Sequence, residues 1–143
     1  MIQEDVISKD QVLKVIRIIF YLCAFYFFMM GFSLIFLPHF LIRGLTGSEI
    51  NPAVIGMLRG AGGSIIPYSV LYVLIALNPY KREWALVFVL LANLLAISLD
   101  IASLLLEEYR FSYAMIDIPA EAVSICCIII IWLKMKIRIL RPK

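Results

Sequence analysis

Four charged side chains within apolar segments are the residues of this sequence best suited to chemistry: Arg59, Asp100, Asp117 and Glu121. Carboxyl groups that share a site exchange protons or bind cations and hydrogen-bond donors, depending on which of them are ionised. One arginine does not balance three ionised carboxylates. Either one carboxyl group is therefore protonated at neutral pH, or a cationic or hydrogen-bonding group completes the site.

Helical spacing predicts that these charges converge. Seven residues separate Asn93 from Asp100, and four separate Asp117 from Glu121. Each pair therefore shares one face of an α-helix. We expect the two faces to meet Arg59 in a ligand-binding or ion-pair pocket that opens outward between the second, third and fourth helices.

The helix that carries Arg59 also has a row of small residues, and membrane helices approach one another closely at such rows. We expect this row to face inward and to serve helix packing, and a homo-oligomer would use the same row for self-association. Its members are Gly56, Gly60 and Ser64, and Gly63 lies with Arg59 on the adjacent row, also available for helix packing.

The polar residues leave three functions open. The first is a membrane module that binds or transports a small ligand or lipid. The second is an accessory subunit in which Arg59 pairs with Asp100 or Glu121 only to fix helix packing. The third is an enzyme acting on a lipid-like substrate. The sequence has no nucleophile motif, nucleotide loop or metal-ligand spacing, so we expect no catalytic residue, no metal and no cofactor.

The elements that position these charges follow from the composition. The 143 residues are 64% hydrophobic and 16% charged, with a mean hydropathy of +1.00, whereas soluble domains are about half apolar and one quarter charged. The apolar residues fall in runs close to the ~20 residues that cross a bilayer. We expect one all-α domain over residues 1–143. Its helices would span about 14–37, 53–77, 84–106 and 112–133, followed by a basic tail at 134–143.

The distribution of Lys and Arg predicts the orientation of these helices. Ten of the 13 basic residues fall in the N-terminal segment, the 78–83 loop and the tail, and two fall on the opposite side. By the positive-inside rule both termini are cytoplasmic. Short loops predict an up-down-up-down antiparallel four-helix bundle. The basic residues mark topology, so we expect the lipid bilayer as a partner and no nucleic acid.

Several short motifs are shared with a known group of membrane proteins. The chain has Pro38 and then Gly44 after its first helix, an RGxGG element at 59–63, Asp100 on its third helix and Glu121 early in its fourth. Together they resemble the small four-helix proteins called BphX-like, within the broader DoxX-like group. The resemblance implies a bundle in a bacterial inner membrane. The three cysteines lack CxxC spacing, which argues against the redox role linked to some DoxX-like proteins.

Overall fold

The computed structural model describes residues 2–40, 52–106 and 111–140, and Gly44 and the last residues of the tail lie outside these ranges. The described residues are helical and include no strand. The long helices are α1 (Ile2–Phe36), α2 (Pro52–Leu77), α3 (Glu83–Leu105) and α4 (Phe111–Leu140), and a 3₁₀ turn (Pro79–Lys81) joins α2 to α3.

Prolines account for several of the helix ends. Pro52 begins α2, because the fixed φ of proline suits a first helical position and its missing N–H is not needed there. The residue before a proline avoids the helical region, so α1 stops before Pro38 and α2 stops before the Asn78–Pro79 pair. The C-terminal ends of α1, α2 and α3 lie within one residue of the predicted ones.

Two helices are longer than the sequence predicts. The sequence predicts that the first helix begins near residue 14, but α1 is helical from Ile2 onward. Similarly, α4 continues to Leu140 rather than ending near residue 133. Polar residues do not break a helix that is already nucleated by a long apolar segment, because each added residue gains one backbone hydrogen bond.

Three helical segments are long and apolar enough to cross a membrane: Gln11–Phe36, Val54–Leu77 and Glu83–Leu105. Only 22–28% of their residues are buried, and many of the exposed side chains are large Leu, Ile, Phe and Val groups. A soluble monomer rarely exposes so much continuous apolar surface. These helices therefore indicate a membrane protein.

The helices pack in two close pairs, α1 with α2 and α3 with α4, and smaller contacts join α2 to α3 and α1 to α4. We call the end of the molecule with the 3₁₀ turn the turn half, and the opposite end the far half. The buried apolar core lies largely in the turn half. It comprises Ile16, Phe20, Cys23, Ala24, Phe27, Tyr72, Ile75, Ala76, Ala85, Leu86, Val89, Cys127, Ile128 and Ile131.

Candidate functional site

A buried hydrogen-bonded network joins α2, α3 and α4 at the edge of this core that faces the far half. Asn93 is 1% exposed, and its Nδ2 group donates to Ser124 Oγ and to the Tyr72 hydroxyl, each at 3.0 Å. The Tyr68 hydroxyl donates to Asn93 Oδ1, also at 3.0 Å. We call these four residues the amide network. Because its polar atoms satisfy one another, the network lies in an apolar interior at little cost.

Aromatic rings from α1 close the amide network on one side. Phe27 stacks on Tyr72 with a centroid separation of 5.2 Å and meets Tyr68 edge-on at 5.5 Å. Phe20 packs against the Tyr72 ring, with a centroid separation of 5.8 Å. Offset and edge-to-face arrangements of this kind are favourable for aromatic pairs. The network is therefore held from all four helices and fixes their relative heights.

Three carboxyl groups lie beyond the amide network in the far half. Asp117 accepts a 2.5 Å hydrogen bond from the Tyr26 hydroxyl of α1. Asp100, from α3, is close enough to interact electrostatically with both Asp117 and Glu121. We call Asp100, Asp117 and Glu121 the carboxyl cluster. Three of the predicted site residues are thus brought together, and Asn93 lies on the side of them that faces the turn half.

Glu121 is the most deeply buried member of the carboxyl cluster. Its side chain is 5% exposed, and its Oε2 atom has no hydrogen-bond partner among the described residues. A buried carboxyl oxygen without a partner loses its interaction with water and gains nothing in return. Glu121 is therefore the residue at which a donor would be stabilised most.

The carboxyl cluster and the amide network form one polar column along α3 and α4. Glu121 is three residues, or about 4.5 Å, from Ser124 along the α4 axis, and Asp117 is about 10 Å away. Asp100 is likewise about 10 Å from Asn93 along α3. The column therefore leads from the centre of the molecule towards the end of the far half.

Arg59 does not belong to this column. Nine residues separate Arg59 from Tyr68, which is two and a half turns of a 3.6-residue helix, so the two side chains leave opposite faces of α2. Arg59 is exposed, and its side chain points away from the face of α2 that contributes to the polar column. In the described chain α2 turns Tyr68 and Tyr72, and not Arg59, towards α3. The pocket expected around Arg59 stays a prediction.

The predicted row of small residues does not pack within the chain either. Gly56, Gly60, Gly63 and Ser64 are exposed, and a Cβ added at any of the three glycines would meet nothing within 4 Å. The close helix contact uses a different glycine pair. A Cβ on Gly62 would lie 2.6 Å from the Gly31 carbonyl oxygen of α1. The α1–α2 interface therefore occupies the neighbouring face of α2.

The far half is open between α2 and α3. Met57 lies eleven residues before Tyr68, which is close to three turns, so both share one face of α2. At Tyr68 and Tyr72 this face is covered by α3 through the amide network, whereas Met57 is 75% exposed and Ser64 is also exposed. We call the uncovered strip the α2–α3 opening.

Sequence reasoning missed Tyr26 and the glycine pair Gly31 and Gly62. A tyrosine in the middle of a membrane helix needs a partner for its hydroxyl group, so Tyr26 did carry a signal. Gly31 and Gly62 carried none, because α2 has several glycines and only the packing decides which of them faces α1.

The chemistry available to the site is that of carboxyl groups. Among the described residues, no group of three His, Cys, Asp or Glu side chains is arranged to hold a metal ion. The cysteines are free thiols, with Cys23 and Cys127 buried and Cys126 exposed. What the cluster offers is negative charge, proton exchange and one unpartnered hydrogen-bond acceptor.

The long apolar helices and the buried polar column together define a helical membrane protein with a polar interior. Residues 15–133 match the family described as Domain of unknown function (DUF4345), and the chain belongs to this family. No curated protein matches the chain, and neither does any solved structure. The resemblance to BphX-like and DoxX-like proteins has no support from a named relative.

Proposed function

We propose that the chain crosses the bilayer four times as an up-down-up-down bundle with both termini in the cytoplasm. The pairs Phe20–Tyr72 and Gly31–Gly62 support antiparallel packing of α1 and α2, since one position rises as the other falls. The ten-to-two division of basic residues supports the orientation. In this topology the turn half is cytoplasmic and the far half faces outward. The resemblance to BphX-like proteins favours a bacterial inner membrane.

Helix α4 carries two carboxyl groups, Asp117 and Glu121, within its apolar segment. A carboxylate at the centre of a membrane helix costs about 2.5–3.5 kcal/mol on insertion scales unless protein or water accommodates it. The Tyr26 hydroxyl accommodates Asp117, and Glu121 is enclosed by the other helices. These contacts support α4 as a fourth span packed with its carboxyls towards the interior.

Within this bundle the carboxyl cluster acts as a binding site rather than as a catalytic centre. The observation that carries this proposal is the environment of Glu121. Its side chain is only 5% exposed, and its Oε2 atom has no hydrogen-bond partner among the described residues. Two further carboxyl groups lie beside it. Intramembrane carboxyls of this kind are typical of proton relays and substrate sites.

The ligand class follows from the chemistry of the cluster. Negative charge favours a cation, and an unpartnered acceptor favours an N–H or O–H donor, so a small protonated amine satisfies both. The ligand would enter from the outer side through the α2–α3 opening, where Ser64 and Met57 line α2. If the protein also transports the amine, the carboxyl cluster would bind the protonated amine during transport, or would exchange the amine for a proton.

Thermal unfolding in detergent tests this proposal directly. Amines that donate hydrogen bonds, such as ethanolamine and spermidine, should raise the Tm of the wild type, and tetramethylammonium, which has no N–H, should not. A ligand at a hundred times its Kd stabilises the folded state by ~2.7 kcal/mol, or roughly 5–10 °C for a chain of this size.

The Glu121→Gln variant should lose this stabilisation by amines. Glu83→Gln is the matched control, because Glu83 is exposed at the start of α3 and should leave the response intact. An amine shift that survives in Glu121→Gln, or no shift with any amine in the wild type, would contradict the proposed site.

An accessory membrane subunit is the second candidate, and a specific observation favours it. Arg59 is an exposed charge on a helix that is otherwise apolar enough to cross the membrane, which suits a contact with another membrane chain. This candidate predicts that no small ligand changes the Tm, whereas loss of a protein partner does.

A further inference from the structure

Two complementary charged surfaces lie at the same depth of this molecule and face different directions. The amide network gives a common reference level, because it joins Tyr68, Asn93 and Ser124 directly. From that level Arg59 lies about 13 Å along α2, and Asp100 and Asp117 each lie about 10 Å along their own helices. The difference is well within the reach of an arginine side chain.

Among the described residues, Arg59 points away from the carboxyl cluster of its own chain. Arg59 leaves the α2 face opposite Tyr68, whereas the carboxyl cluster lies between α1, α3 and α4. The two acidic residues nearest the end of the far half, Asp100 and Asp117, are only half-buried. They are therefore accessible to a group that approaches from outside the chain, unlike the enclosed Glu121.

The surface around Arg59 is shaped for close helix contact. Gly56, Arg59 and Gly63 follow one another at intervals of three and four residues, so they share one face of α2. A Cβ at either glycine would meet nothing within 4 Å. A charged side chain flanked by glycines stands clear of its own helix, and a neighbouring helix could approach the backbone on both sides of it.

We infer that the Gly56–Arg59–Gly63 face of one copy docks on the far half of a second copy, where Arg59 pairs with Asp100 and Asp117. The charge complementarity and the matched depth both argue for a second copy of this chain as the occupant of the face. The two surfaces are different parts of the molecule, so the contact is heterologous, and each copy can offer one surface to each of two neighbours.

This assembly completes the carboxyl cluster and leaves a place for the proposed ligand. Arg59 of the neighbouring copy neutralises part of the charge at the accessible end of the cluster. Glu121 lies deeper, and its Oε2 remains available to a donor. The inference does not depend on amine binding, because the oligomer forms through Arg59 whether or not a ligand is present.

The first test is the mass of the purified protein in mild detergent, measured by native mass spectrometry or light scattering. The wild type should be an oligomer, and Arg59→Ala should associate roughly thirtyfold more weakly or worse, as expected for loss of one partner of a desolvated charge pair. Arg82→Ala is the matched control, since Arg82 lies at the α2–α3 turn. A monomeric wild type, or an unchanged Arg59→Ala oligomer, would overturn the inference.

The second test separates a contact between copies from a contact within one. A chain with Arg59→Ala keeps an intact cluster, and a chain with Asp100→Asn and Asp117→Asn keeps an intact arginine. Neither should self-associate, but the two, carrying different tags, should co-purify through one native junction. Circular dichroism of each variant checks that it is folded. Folded variants that fail to associate with each other would refute pairing in trans.

Discussion

The two halves of this molecule use the same four helices in opposite ways. In the turn half, aromatic and aliphatic side chains from all four helices enclose one another, and the amide network satisfies its own polar atoms. In the far half, Met57 and the small residues of α2 are exposed, and carboxyl groups take the place of buried apolar ones. We therefore expect the turn half to contribute most of the stability, and the far half is where we propose that a ligand binds.

The difference teaches how a small membrane protein can hold charge in its interior. The amide network is closed, since each polar atom finds a partner within it, and it fixes the heights of α2, α3 and α4. The carboxyl cluster is incomplete, since Glu121 Oε2 has no partner among the described residues. The amide network holds in place the helices that carry the carboxyl cluster. Binding sites generally require such support from well-packed neighbouring elements.

Removing a ring from the closed half should have the largest effect. Tyr72 is fully buried, so Tyr72→Ala leaves a cavity and also breaks the amide network. We expect a loss of about 3–5 kcal/mol in the free energy of unfolding. Unfolding in mixed micelles titrated with sodium dodecyl sulfate measures this change.

Met57→Ala is the matched truncation in the open half, because Met57 lies on the same face of α2 and is 75% exposed. Its cost should stay within about 0.5 kcal/mol. Similar losses for the two variants would remove the distinction between the halves.

The glycines of α2 should give the next largest effect, and they sharpen the comparison within a single helix. Gly62→Ala forces a Cβ to within 2.6 Å of the Gly31 carbonyl oxygen. Overpacking of this kind costs about 1–3 kcal/mol. The same micelle titration measures the loss.

Gly60→Ala is the control, because a Cβ there meets nothing within 4 Å. It should be neutral or stabilise the helix by up to about 1 kcal/mol, since alanine is the better helix former. If Gly60→Ala were the more damaging change, Gly60 and not Gly62 would lie in the α1–α2 interface, and the assigned interface would be wrong.

The smallest effect should come from the hydrogen bond that ties α1 to α4. Tyr26→Phe removes the donor to Asp117, and hydrogen bonds between membrane helices contribute about 0.5–1.5 kcal/mol. Tyr21→Phe is the control, because Tyr21 is exposed on the same helix. Equal stability of the two variants would show that Asp117 finds another donor and that the far half is less tightly connected.

The sequence predicted the helix ends better than the directions in which the helices face. Pro52 and the Asn78–Pro79 pair restrict the backbone locally, so the ends of α2 can be recognised without any knowledge of the neighbours. The directions depend on packing. In lipid an exposed face and an interior face are both apolar, so hydrophobic periodicity does not identify the interior.

Arg59 illustrates this limit. Its charge suggested the interior, yet the α2 face towards α3 is set by Tyr68 and Tyr72, which contact Asn93. The carboxyl cluster was easier to predict, because Asp117 and Glu121 share a face by spacing alone. Its partner Tyr26 lies on another helix, and only the fold brings the two together.

The hydrogen bond from Tyr26 to Asp117 joins positions that are 91 residues apart, and this separation has a consequence for biosynthesis. A ribosome adds about 5–20 residues per second, so the tyrosine is made roughly 5–20 s before its partner carboxyl. Asp117 and Glu121 make the release of the last helix into lipid less favourable, because intramembrane carboxylates are costly. We expect α4 to enter the membrane only after α1 is in place. The Tyr26 hydroxyl can then donate its hydrogen bond to Asp117 as α4 leaves the translocon.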